Sequence, residues 1–142
     1  MQSIVNRRRF IKHLVVMGGA SMLPMVLDGC HAGTAASGDG WVDAGPQTGV
    51  SAAAPLKVQA GKGIAYLTRN AGGAIIALSA KCTHRGCTVA WNPTASEYLC
   101  PCHGAKYDAT GKNISGPAPS PLQTLQTKVD ASGHVLVEPI TT

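Results

Sequence analysis

The sequence predicts an all-β fold, a small antiparallel domain whose metal-binding residues sit on two loops that form a subdomain of their own. Three observations predict it. Short β-prone runs recur between turn residues from residue 55 onward, and no stretch there sustains an apolar period of 3.6 residues. Four of the five cysteines and two of the five histidines fall within residues 81–108. The 142 residues also carry 17 Gly and 9 Pro, a loop-rich balance. Hydrophobic residues make up 44% and aromatics only 4%, which predicts a core of Val, Ile, Leu and Ala. A chain this short forms one folded domain, and so small a core commonly needs a metal or disulfide to stabilise it.

The first element, residues 1–30, reads as an address. "NRRRFIKHLVVMGGASMLPMVLDGC" begins basic and then runs 14 uncharged residues, Leu14 to Leu27. As a helix that run spans about 21 Å, short of the roughly 30 Å of a bilayer core but suited to a signal-peptide core. "RRRFIK" resembles the twin-arginine export motif, with Arg7 and Arg8 as the pair and Asn6 where Ser or Thr is commoner. "VLDGC" resembles a lipoprotein processing site that would acylate Cys30, with Asp28 an atypical neighbour. Lipidation, an uncleaved anchor and release after cleavage all remain open at this stage. Each places the chain on the periplasmic side, at the outer face of the cytoplasmic membrane.

Residues 31–54 are Gly, Ala, Ser and Thr with scattered Asp, and read as a flexible tether. As a coil, these 24 residues span on the order of 25–30 Å. The predicted metal-binding domain occupies 55–142. Its strands are "PLKVQA", "GIAYLT" and "AIIALSA", broken by "GKG" and "RNAGG". "TVAWN" and "EYLC" follow, joined by "PTAS". "LQTLQTKV" and "HVLVEP" flank "DASG", a hairpin signal with Gly133 available for a positive φ.

The net charge of +5 comes largely from the first twelve residues. From Cys30 onward, eight Lys/Arg face six Asp/Glu, a net of +2. No basic patch interleaved with aromatics occurs there, so no nucleic-acid partner is expected. Arg85 and Lys106 could form a small docking face for an acidic partner, against the plainer reading of solvated surface charge. Trp91 is expected beside the first metal loop, and His31 and His134 on the surface.

Two boxes carry the chemistry, Cys82-Thr-His84-Arg-Gly-Cys87 and Cys100-Pro-Cys102-His103-Gly104. Cys82 with His84, and Cys100 with His103, give a Cys2His2 set. A structural zinc site is one reading of it. Zinc fingers usually place two cysteines on one knuckle and two histidines on the other, however, whereas each loop here offers one of each. A [2Fe–2S] centre with two cysteines on one iron and two histidines on the other suits that mixture. Cys87 and Cys102 are left over. In an exported protein they suggest a disulfide, closing 16 residues and contributing about 3 kcal/mol. A pair of free buried thiols is the alternative.

"CTHRGC", "CPCHG", "KYD" and "GPAP" resemble the Rieske iron–sulfur proteins, most closely the cytochrome bc-complex branch. The resemblance covers roughly residues 60–139. It implies a Rieske-type domain with one [2Fe–2S] cluster, Cys82 and Cys100 on one iron and His84 and His103 on the other. It implies a Cys87–Cys102 disulfide, which the Rieske ferredoxins and ring-hydroxylating oxygenases generally lack. The length given holds no oxygenase catalytic domain, so that reaction is not expected. Gly116, Pro117, Ala118 and Pro119 match the loop that covers the cluster, where rigid φ angles and missing N–H groups suit a lid.

The resemblance further implies a one-electron carrier or subunit of an oxidoreductase complex. Neutral imidazoles in place of two thiolates raise the potential above that of an all-cysteine cluster. Beside the second box, Gly104 and Tyr107 match the pattern, and Tyr107 would donate to a cysteine sulfur. Ala105 stands where respiratory members usually have Ser. Losing that donor lowers the potential within a range of roughly −150 to +300 mV. The implied partners are a membrane quinol oxidoreductase and a cytochrome, with membrane association through the N-terminus. The alternatives are an accessory subunit of another periplasmic oxidoreductase, arsenite-oxidase-like, or a structural zinc module.

Overall fold

The structure is a computed structural model that describes residues 40–142. Arg7, Arg8, Cys30, His31 and the first part of the predicted tether lie outside the described residues. Among the described residues, eleven strands form three antiparallel sheets. Among the described residues, no helix is long and apolar enough to cross a membrane.

The first sheet has the order β1-β11-β10, from Val42–Pro46, His134–Val137 and Thr127–Val129. The second has the order β2-β3-β4-β9, from Leu56–Ala60, Gly63–Arg69, Ile75–Ser79 and Thr124–Leu125. Together they enclose an aliphatic core that includes Val42, Val50, Val58, Leu67, Val135 and Val137. The predicted "DASG" hairpin joins β10 to β11, with Gly133 at φ +84°. "LQTLQTKV" divides instead of running as one strand. Thr124–Leu125 pairs with β4, and Thr127–Val129 pairs with β11.

The third sheet has the order β5-β6-β7-β8, from Ala90–Asn92, Glu97–Leu99, Lys106–Asp108 and Asn113–Ser115. It carries the two cysteine–histidine loops and has its own core. That core corrects the expectation of a purely aliphatic interior. Of the six aromatic residues in the chain, Tyr66, Tyr98 and Tyr107 are buried in it and Trp91 packs against it. The Tyr98 ring lies 5.1 Å from that of Tyr66 and 4.8 Å from that of Trp91, centroid to centroid. Desolvation raises the Tyr98 hydroxyl pKa well above its ordinary value.

β3 and β4 sit between the two cores. Successive side chains of a strand point to opposite faces. Ala65 and Leu67 therefore enter the aliphatic core while Tyr66 enters the aromatic one, and Ala77 and Leu78 divide in the same way. Burial on both faces is why these stretches read as near-continuous apolar runs.

The expected tether over 31–54 is corrected at its C-terminal end. Val42 pairs with Val137 and Asp43 with Leu136, and Val42, Ala44 and Val50 are buried. Arg69 holds the following segment with two donated hydrogen bonds, to the carbonyls of Val50 (2.9 Å) and Gln47 (2.8 Å), and donates a third to Gly73 O (2.8 Å) in its own turn. "VDAGP" has the composition of a linker. It becomes a strand because β11 offers it a ladder and a core beneath, and tertiary context of this kind overrides a weak local preference.

Candidate metal centre

The first loop runs from Cys82 to Cys87 between β4 and β5, the second from Cys100 to Ala105 between β6 and β7. They close identically. Cys82 N–H donates to Cys87 O (2.8 Å) and Gly86 N–H to Cys82 O (2.8 Å). Cys100 N–H donates to Ala105 O (2.8 Å) and Gly104 N–H to Cys100 O (3.0 Å). Each loop thus opens on a buried cysteine and turns at a glycine in the left-handed region, Gly86 at φ +77° and Gly104 at φ +70°. Ala105 occupies the place in the second loop that Cys87 has in the first.

A disulfide joins Cys87 to Cys102, with their Cα atoms 6.5 Å apart, and ties the two loops together. The Cys87, Cys100 and Cys102 sulfurs lie within 4.8 Å of one another. Two of the three are consumed by the disulfide, so that group offers only Cys100 as a ligand. Cys82 and Cys100 remain as free, buried thiols. The His84 and His103 rings meet edge to face, with centroids 4.7 Å apart.

The donors fit an iron–sulfur group. His84 Nδ1 is buried without a hydrogen-bond partner, an arrangement that costs free energy unless the nitrogen binds something else. Burial pushes the Cys82 thiol pKa up. Hydrogen bonds from the Tyr107 hydroxyl, the His84 amide, the Cys100 thiol and the Arg85 amide outweigh it, and the net direction is down. Donors of this kind favour the thiolate, which is the form that ligates a metal.

Tyr107 is fully buried, and its hydroxyl lies 3.3 Å from Cys82 Sγ. Desolvation, followed by the sulfur contact, raises its own pKa. Thr83, which the sequence reading did not single out, braces this contact. Its N–H donates to the Tyr107 hydroxyl (3.2 Å), and its own hydroxyl donates to Ser120 O (2.7 Å). Its only sequence signal was its place between Cys82 and His84.

Of the predicted lid residues, Gly116 lies against the second loop. A Cβ built on Gly116 would fall 2.6 Å from Ala105 Cα and 3.0 Å from Gly104 O, so only glycine permits that approach. Gly116 also has φ +91°, in the left-handed region that favours glycine. Ala118 is buried in the aromatic core while Pro117 and Pro119 are exposed. Ala105 is fully buried and offers no hydroxyl.

Trp91 packs on the aromatic core beside Tyr98, and its indole nitrogen is buried without a partner. Lys106 does not join Arg85 in a free basic face, because it pairs with Glu97 at 2.8 Å. His134 is not a lone surface residue, since its Nδ1 lies 2.9 Å from Asp43 Oδ2.

Residues 40–126 match the Rieske [2Fe–2S] domain family. The cytochrome b6-f complex iron–sulfur subunit of Chlorobaculum thiosulfatiphilum is 48% identical over 67 residues, covering 47% of this chain and 37% of that protein. Its counterpart in Parasynechococcus marenigrum is 39% identical over 100 residues, covering 69% of this chain and 54% of that protein. The chain thus spans between about a third and a half of the length of these relatives. Among solved structures, the plasma membrane Rieske protein PetC3 from Synechocystis PCC 6803 matches with a TM-score of 0.59 at 38% identity, covering 68% of this chain and 98% of that one. The ferredoxin of carbazole 1,9a-dioxygenase from Nocardioides aromaticivorans, at 20% identity, covers 70% of this chain and 98% of that one, and shares the fold alone, with a TM-score of 0.52. The cofactor is accordingly a Rieske [2Fe–2S] cluster, and the chain belongs to the Rieske [2Fe–2S] domain family.

Proposed function

We propose that this chain is the one-electron carrier of a quinol-oxidising, cytochrome-reducing membrane complex, an iron–sulfur subunit of cytochrome b6-f or bc type. One observation carries the reading. Two free buried thiols and two imidazoles in edge-to-face contact stand on paired loops that a disulfide holds together. In this reading Cys82 and Cys100 hold one iron, and His84 and His103 hold the other. Names of the relatives, cytochrome b6-f subunits, support the assignment to such a complex.

When bound, the [2Fe–2S] group supplies one-electron transfer at a potential above that of an all-thiolate cluster. The protein adjusts that potential and controls access. Tyr107 donates to the Cys82 sulfur and stabilises negative charge there. Ala105 donates nothing, which favours a low-potential quinol. Gly116 to Pro119 exclude water from the cysteine side. His103 is exposed and His84 half-buried, so the imidazoles form the exit for electrons. His103 is the group placed to accept a quinol hydrogen bond and to pass its proton to solvent.

The twin-arginine pair Arg7 and Arg8 would deliver the folded domain to the outer face of the cytoplasmic membrane, where Cys30, acylated, or an uncleaved anchor would retain it. A second reading, an accessory subunit of an arsenite-oxidase-like enzyme, draws on the hydroxyl missing at Ala105. Purification of the tagged full chain from detergent-solubilised membranes tests the choice. The expected result is co-purification with a b-type cytochrome and quinol-dependent cytochrome reduction that His103→Gln abolishes. Isolation with a soluble oxidoreductase, without quinol activity, would favour the second reading.

A further inference from the structure

Two cavities open side by side along the first loop. One, of about 270 Å³, is lined by Lys62, Ser79, Lys81, Gly86, Thr88 and Ile140 among others. The second, of about 380 Å³, shares Ser79, Lys81 and Gly86 and continues to Cys82, His84 and Arg85. They form one groove leading to His84. The Lys81 side chain lies across Gly86, where a Cβ would come within 3.3 Å of its Cε.

The charged side chains that line the groove are all cationic. Lys62, Lys81 and Arg85 line it, and neither cavity has an Asp or Glu in its lining. The five acids among the described residues are engaged elsewhere. Glu97 pairs with Lys106, Asp43 with His134, and Asp108 and Asp130 close their own turns. Glu138 accepts the Gln126 N–H. Like charges gathered in a concave surface focus their field and speed the approach of an oppositely charged partner.

The geometry points to a docking groove for an acidic electron-transfer protein, whose carboxylates would sit among Lys62, Lys81 and Arg85 and bring its redox centre to His84. This inference rests on the electron-transfer reading above. An anionic membrane is the poorer occupant. A membrane-seated basic face uses apolar anchors beside the charge, and among the described residues the large exposed apolar ones, Ile114 and Val129, lie on β8 and β10 and line neither cavity.

The test is stopped-flow oxidation of the reduced holoprotein by a purified acidic c-type cytochrome, by a basic one and by ferricyanide. EPR and midpoint potential are recorded first for every variant, so that rates are compared at known driving force. With the acidic cytochrome, the wild-type rate should fall by about tenfold between low and moderate salt. The combined Lys62→Gln, Lys81→Gln and Arg85→Gln variant should lose about tenfold at low salt and most of the salt dependence. Lys128→Gln, on β10, should match wild type.

An intact EPR signal with rates that do not respond to the triple substitution would overturn the docking groove and leave the electron-transfer reading standing. So would a response to ferricyanide without one to the acidic cytochrome, a preference for the basic cytochrome, or charge-dependent sedimentation with phosphatidylglycerol vesicles without faster cytochrome reduction. A wild-type protein with no cluster signal would remove both readings.

Discussion

The Tyr107 hydroxyl lies 3.3 Å from the Cys82 sulfur, and the Thr83 amide donates to that hydroxyl from 3.2 Å. The phenol oxygen thus accepts from the backbone, and its proton is shared between the Cys82 sulfur and Thr83 Oγ1, which lies 3.1 Å away. A hydrogen bond to a charged group contributes about 1.5–3 kcal/mol, of which only the part that differs between oxidised and reduced states shifts a potential. Taking about 1 kcal/mol for that difference, and 59 mV per tenfold change for one electron, Tyr107→Phe should lower the midpoint by roughly 40 mV. An EPR-monitored redox titration measures it. An unchanged midpoint would remove Tyr107 from the account.

Ala105 gives the converse expectation. It is fully buried, and its carbonyl accepts the Cys100 N–H at 2.8 Å. Ala105→Ser adds a hydroxyl beside the second loop, where a new donor to sulfur raises the potential. The midpoint should rise by a few tens of mV, on the same scale of about 59 mV per tenfold, with the fold retained by circular dichroism.

The clamp between the loops is tested by Cys87→Ala combined with Cys102→Ala. Loss of a native disulfide from a small domain costs about 2–5 kcal/mol. The double variant should bleach its visible absorption at a markedly lower temperature than wild type. Equal bleaching temperatures would mean that the loops hold without the bridge.

The two boxes were legible because Cys and His are rare and their partners lie close along the chain. β3 and β4 were legible because burial on both faces leaves an apolar run. β1 was not, because Asp43, Gly45 and Pro46 mask a strand that only its pairing with β11 reveals. The aromatic core was hidden for a similar reason. Tyr66, Trp91, Tyr98 and Tyr107 come from four separate strands, and nothing local announces that they meet. Thr83 lacked any pattern of its own.

Asp43 and His134 are 91 positions apart in the sequence and 2.9 Å apart in space. The hydrogen bond with His134 lowers the Asp43 pKa from its ordinary 3.8, and the one with Asp43 raises the His134 pKa from 6.5. The aspartate contribution is present above 3.8 and is lost as pH falls through its lowered folded value. The histidine contribution is complete below 6.5 and is lost as pH rises through its raised folded value. The pair therefore stabilises most between about pH 4 and 6.5. Denaturant midpoints should fall for wild type from pH 6 to pH 9, and His134→Gln should reduce that fall. Identical slopes would show that the pair is inert.

EPR of the dithionite-reduced holoprotein reads the mixed ligand set. Iron and sulfide analysis of the same sample, and a redox titration at two pH values, complete the measurement. Two irons and two sulfides per chain are expected, with a rhombic signal whose mean g lies below that of an all-thiolate cluster and a midpoint that falls as pH rises. A colourless, EPR-silent protein with stoichiometric zinc, unchanged by reconstitution with iron and sulfide, would contradict the mixed ligand set.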